Sequence, residues 1–222
     1  MDRAVVSLVD ALQRQFPVPP SGKGSEGWNL PPLNILDCVL SLNRRYDSFC
    51  LPRVQRFADR RPEIDELAAL LRLIRSFPTS LEFSVSELNY RDEKRSLTLL
   101  GVTEYFIAVQ QEFDGASEAL RLQRWAETAK PADYEAVGVR GFGLSGFQYL
   151  RMLFGAQAVK PDIHIRRFVS TVLGRPVDDL TALALLEAAG RHLDWKLTAL
   201  DYAIWDRLAR TPSDGSQRLT DA

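Results

Sequence analysis

Two groups of residues in this chain have types and spacing that could do chemistry. The first is Asp162, in Pro161-Asp162-Ile163-His164. Proline followed by aspartate opens a helix, and the carboxylate accepts backbone N–H bonds there as a cap. The helix dipole and those donors favour the ionised form. A rigid anion of this kind can stabilise a developing positive charge or orient a water. The second group is Gly141-Phe142-Gly143. Glycine supplies turn angles that a Cβ forbids. Such a turn ahead of a helix leaves successive N–H groups pointing outward, an arrangement that binds phosphate. Each group also has a plain structural reading, as a helix cap and as a helix–helix turn.

Charge around these residues is uneven. Residues 139–175 carry Arg140, Arg151, Lys160, Arg166, Arg167 and Arg175 against Asp162 alone, a local net charge of +5 in a chain whose total is −1. A local basic field acts over roughly a Debye length, ~8–10 Å, so a neutral total does not exclude a polyanionic partner.

The order glycine hairpin, helix, short loop, Asp-x-His, helix resembles the helix-hairpin-helix DNA glycosylases of the endonuclease III superfamily. Their hairpin reads L-P-G-V-G and their later motif V-D-T-H-V-x-R. The corresponding residues here are Val139-Arg140-Gly141-Phe142-Gly143 and Pro161-Asp162-Ile163-His164-Ile165-Arg166-Arg167. Arg140 replaces the usual proline, and the interval to the aspartate is slightly shorter. The resemblance implies an all-α, two-lobed glycosylase fold with a central cleft. It implies Asp162 as the catalytic carboxylate, and Gly141, Gly143, Ser145, Arg140, His164 and Arg166 as contacts to the DNA backbone. It also places Asn43 and Arg44 near the turn whose polar residue wedges into the duplex, although a solvated helix end reads equally well there. Bifunctional relatives carry a lysine where this chain has Ser145, and a hydroxyl cannot form an imine. The activity implied is therefore monofunctional: release of a flipped damaged or mispaired base from double-stranded DNA, leaving an abasic site intact. Two other readings stay open: a DNA-binding protein of this fold without catalysis, and a helical interaction protein with no nucleic-acid role.

Many endonuclease III relatives bind an iron–sulfur cluster through four cysteines near the C-terminus. This chain has only Cys38 and Cys50, which read as buried thiols, so no such cluster is expected. His164 and His192 are too few and too isolated for a metal site. No cofactor is expected, and the protein is expected to be a monomer.

The elements that must position these residues follow from helical periodicity. Val5, Leu8, Val9, Leu12 and Phe16 share one face, and Pro17 ends that helix. Residues 17–32, rich in proline and glycine, read as an irregular crossing segment. Further helices are expected from Leu33 to Asn43, Phe49 to Ala58, Glu63 to Phe77, about Tyr90 to Phe113, Leu120 to Thr128 and Leu144 to Phe154. Residues 79–90 are ambiguous. After the Asp162 helix, one helix runs from Asp178 until Gly190 breaks it, and the last spans Leu193 to Arg210. By analogy, residues 33–157 form a helical barrel, and 1–32 with 158–210 a second lobe. Residues 211–222 read as a disordered tail. Trp28, Tyr46, Trp125 and Tyr149 could stack on a flipped base or fill the core, and the sequence does not choose. At 222 residues and 45% apolar content the chain can bury a sizeable core. No apolar run approaches the ~20 residues of a membrane span. No signal peptide is read at the N-terminus, so a cytoplasmic, nucleoid-associated protein is expected.

Overall fold

The computed structural model describes residues 2–21 and 27–210, with side chains to residue 208. The expected tail, 211–222, lies outside the described residues. Among those described the fold is all-α: twelve α-helices and no strand. No helix among them is long and apolar enough to cross a membrane.

The chain divides into two compact units, Met1–Gly24 with Asp162–Ala222, and Ser25–Pro161. It opens with α1 (Arg3–Gln15), capped by the Asp2 carboxylate and burying Val5, Leu8, Val9 and Leu12. The second unit then begins. Its centre is α2 (Pro31–Ser41), in which every residue is buried. A π-helical turn, Tyr46–Cys50, leads into α3 (Leu51–Arg60). There follow α4 (Leu67–Arg75), α5 (Ser80–Leu88), α6 (Glu93–Val109), α7 (Glu118–Thr128), α8 (Tyr134–Val137) and α9 (Leu144–Leu153). Helix α2 packs against α6 and α9. Phe57, Phe83, Phe106 and Phe147 are fully buried beside it, and Trp125 stands edge-on to Phe106 with ring centroids 4.6 Å apart. Trp28 belongs to this unit as well, bonded to Asn34 and Asp37 of α2.

The first unit is completed by α10 (Ile163–Leu173), α11 (Asp179–His192) and α12 (Leu197–Arg210). Helix α1 packs on α10 and α11, and α12 packs on both of those. Ile165, Phe168, Val169, Leu183, Leu186, Leu200 and Ile204 are buried in this bundle.

Several element boundaries differ from expectation, and three of the differences have a physical reason in the structure. Helix α4 starts at Leu67 rather than Glu63, because its first N–H is taken by the Glu118 carboxylate at 2.8 Å, a cap supplied from α7. The ambiguous stretch is helix α5, capped by the Thr79 hydroxyl and stopped by left-handed Asn89 at φ 48°. Helix α11 runs through Gly190 to His192. A Cβ at Gly190 would lie 2.6 Å from Leu197 Cδ2, so this glycine serves close packing rather than termination. Cys38 and Cys50 are both buried free thiols.

Candidate nucleic-acid interface and candidate catalytic carboxylate

The glycine hairpin forms between α8 and α9. Gly138 ends α8 in the left-handed region, and Phe142 N donates to the Val139 carbonyl at 3.1 Å. Gly141 has φ 87°, a conformation side chains avoid, and a Cβ there would meet Thr98 Oγ1 at 2.8 Å. Gly143 differs. Its backbone is extended, at φ −104° and ψ −169°, and a Cβ would meet nothing within 4 Å. It is exposed, and it precedes α9 without any side-chain cap. The first amides of α9 are therefore available to a ligand acceptor. Arg140 is exposed beside them, and Ser145 is half-buried in the first turn.

The turn after α2 is built from other forces. Asn43 is left-handed, at φ 53°. Arg95 of α6 reaches across and donates through Nη1 to the carbonyls of Val39 at 2.9 Å, Leu40 at 3.3 Å and Leu42 at 2.6 Å. A guanidinium thus caps the C-terminus of α2. Asn43, Arg44 and Arg45 are left exposed. Arg44 stands 3.9 Å from Asp92 and 5.7 Å from the Phe49 ring centre. Asp92 itself caps α6. The Arg95 N–H and then the Tyr90 hydroxyl hold its carboxyl below the usual range.

These two turns belong to one end of the second unit. The Thr98 hydroxyl lies 2.8 Å from the Arg140 carbonyl and 2.9 Å from the Lys94 carbonyl. Arg95 holds the other turn. Gly146 is pinched between the two: a Cβ there would lie 2.9 Å from Phe142 Cε2 and 3.3 Å from Leu42 Cδ2. Arg45, Arg91, Lys94 and Arg140 are all exposed on these segments, and none has an ion pair among the described residues. The arrangement offers free amides, several unpaired cations and a polar left-handed corner, a set suited to a phosphodiester backbone.

Asp162 is the N-cap of α10, in the first unit. Its Oδ1 accepts from the amides of His164 at 2.8 Å and Ile165 at 3.0 Å. The residue is half-buried, and no hydrogen bond to Oδ2 occurs among the described residues. His164 is half-buried too, with Nδ1 lacking a hydrogen-bond partner among the described residues. Arg166 is spent elsewhere. Its Nη1 pairs with Asp179 at 3.0 Å across to α11, which offsets the charge the resemblance assigned to a phosphate.

Sequence reasoning missed Asp37. It sits at the middle of α2 with no exposure. Its Oδ2 accepts from Trp28 Nε1 and the Tyr46 hydroxyl, both at 2.8 Å, and its Oδ1 from the Tyr149 hydroxyl at 2.9 Å. Lys160 Nζ stands 3.9 Å from the Tyr149 ring centre. Burial pushes the Asp37 carboxyl up from its ordinary range, against the opposing pull of the three donors and the Lys160 cation. Three of the four aromatics weighed for base stacking are thus the donors to one carboxylate, and the fourth, Trp125, is core. An aspartate inside the apolar run L-N-I-L-D-C-V-L was the available signal.

The chain belongs to a family described as a domain of unknown function (DUF8548), which matches it over residues 6–209. No curated protein and no solved structure matches the chain.

Proposed function

We propose that this DUF8548 protein is a helix-hairpin-helix-type DNA glycosylase, binding double-stranded DNA and hydrolysing the N-glycosidic bond of a flipped altered or mispaired base. One observation carries the DNA reading. The hairpin of Arg140 to Gly143 and the corner of Asn43 and Arg44, distant in sequence, hang from adjacent turns of α6. In this reading the uncapped amides of α9 hold one phosphate, and Arg44, Arg45, Lys94 and Arg140 neutralise its neighbours. Asn43, rigid in its left-handed corner, enters the stack as the base leaves.

Asp162 supplies the chemistry. As the C1′–N bond breaks, its electron pair leaves with the base, and the sugar becomes oxocarbenium-like. The carboxylate stabilises that charge and orients a water. The water oxygen bonds to C1′, one of its protons passes to Asp162, and the departing base takes up a proton from solvent. A cap is a good support for this role, because the two amide bonds to Oδ1 fix the rotamer. Ser145 offers no amine, so the product is an intact abasic site.

A second reading, duplex binding without base release, is favoured by one fact: Arg166 is paired with Asp179 and brings no free charge beside Asp162. The deciding experiment is a panel of duplexes carrying single altered bases, with release measured for wild type and Asp162→Asn. Asparagine is also a good cap, so the fold is retained. Release lost in the variant with affinity kept supports catalysis. Binding without release in either protein leaves the second reading. Absence of salt-dependent duplex binding removes both.

A further inference from the structure

Asp37 plays no part in the chemistry above, yet its buried carboxylate accepts from three side-chain donors. The four partners of Asp37 come from three segments. Trp28 precedes α2, Tyr46 opens the π-helical turn that follows the Asn43 corner, Tyr149 belongs to α9, and Cys50 donates to the Asp37 carbonyl at 3.3 Å. Two of these segments carry the proposed DNA contacts. Tyr46 follows Arg44 and Arg45 directly. Tyr149 lies six residues after Gly143, on the helix that the hairpin leads into.

We propose that Asp37 is a positioning residue for DNA binding, one buried carboxylate that sets the Asn43–Arg45 corner in register with the α9 hairpin. This rests on the DNA reading and names how its surface is kept in shape. The mechanism is geometric. Oδ2 holds the corner through Tyr46, Oδ1 holds α9 through Tyr149, and the rigid carboxylate fixes the separation of the two hydroxyls. A π-helical turn is a short, poorly stabilised element, and Tyr46 is its first residue. Releasing the Tyr46 hydroxyl frees the corner without removing any group that touches a phosphate. Trp28 Nε1 reaches the same Oδ2 but lies on neither segment. Its removal tests whether the bond matters or only the number of donors.

The experiment uses the full chain, a fluorescein-labelled duplex with one abasic site, and Tyr46→Phe, Trp28→Phe and wild type. Anisotropy gives affinity and its salt slope, and amide hydrogen exchange reports residues 43–50. Tyr46→Phe is expected to bind about tenfold more weakly, the loss due to one charge-assisted hydrogen bond. Its salt slope should be unchanged and exchange across 43–50 faster. Trp28→Phe is expected to keep affinity within about twofold. Equal binding by Tyr46→Phe and wild type overturns the proposal. So does a loss of affinity in both variants that tracks their loss of thermal stability, since that is a structural role only. Should wild type bind no duplex, the DNA reading fails separately. Unchanged exchange at 43–50 in Tyr46→Phe would then overturn the positioning role by itself.

Discussion

The Thr98 hydroxyl stands 2.8 Å from the Arg140 carbonyl, joining the body of α6 to the turn that opens α9. Thr98 is buried, so the contact is not shared with solvent. Thr98→Val keeps the shape and removes the hydroxyl. It should cost about 1 kcal/mol of stability by urea denaturation, and it should weaken duplex binding severalfold because the hairpin loses its tether.

The two hairpin glycines should respond in opposite ways. Gly141→Ala forces a side chain into the left-handed region and against Thr98, and should destabilise the fold by roughly 1–2 kcal/mol. Gly143→Ala meets open space in an ordinary extended backbone and should leave the thermal midpoint unchanged. Its methyl group would stand where a phosphate approaches the amides, so duplex affinity alone should fall. Melting curves and anisotropy on the pair separate the two roles.

Salt dependence should divide the arginines. Removing a phosphate contact lowers the slope of log affinity against log salt by about 1. Arg45→Gln, Lys94→Gln and Arg140→Gln are each expected to do so. Arg166→Gln is expected to leave the slope as it is, because that guanidinium is already paired with Asp179. Anisotropy titrations at a series of salt concentrations measure this directly.

Arg61 grips Glu87 at 3.0 and 2.6 Å, and this bond holds the Glu87 carboxyl below its ordinary range of about 4.5. A depressed carboxyl contributes stability that is present above the unfolded value and lost as pH falls through the folded one. Arg61→Ala leaves a buried carboxylate with only Arg60, at 3.6 Å, and should cost roughly 2 kcal/mol at pH 7. Variant and wild type should converge as pH falls below the depressed Glu87 value, where the carboxyl is protonated in both. Urea midpoints across that range provide the check.

The parts of this protein legible in its sequence were the local ones. Helical periodicity and short-range caps announced α1, α2, α9 and α10; Asp162, for one, finds its N–H donors two and three residues away. What was illegible depends on distance along the chain. The start of α4 is set by Glu118, 51 residues on. The Asp37 site needs Tyr149, 112 residues away. Arg166 looked like a free cation until α11 brought Asp179 to it. Trp28 and Tyr46 looked like stacking candidates until folding turned their polar edges toward a buried acid. Pattern finds elements, whereas pairing between elements decides which side chains remain at liberty.

Gly146 has neither charge nor exposure, and it would be passed over by any map of the interface drawn from accessible surface. With Phe142 on one side and Leu42 on the other, even one added methyl there acts as a jack beneath two loops at once. A selection for variants defective in duplex retention should therefore return this hidden position alongside the visible arginines.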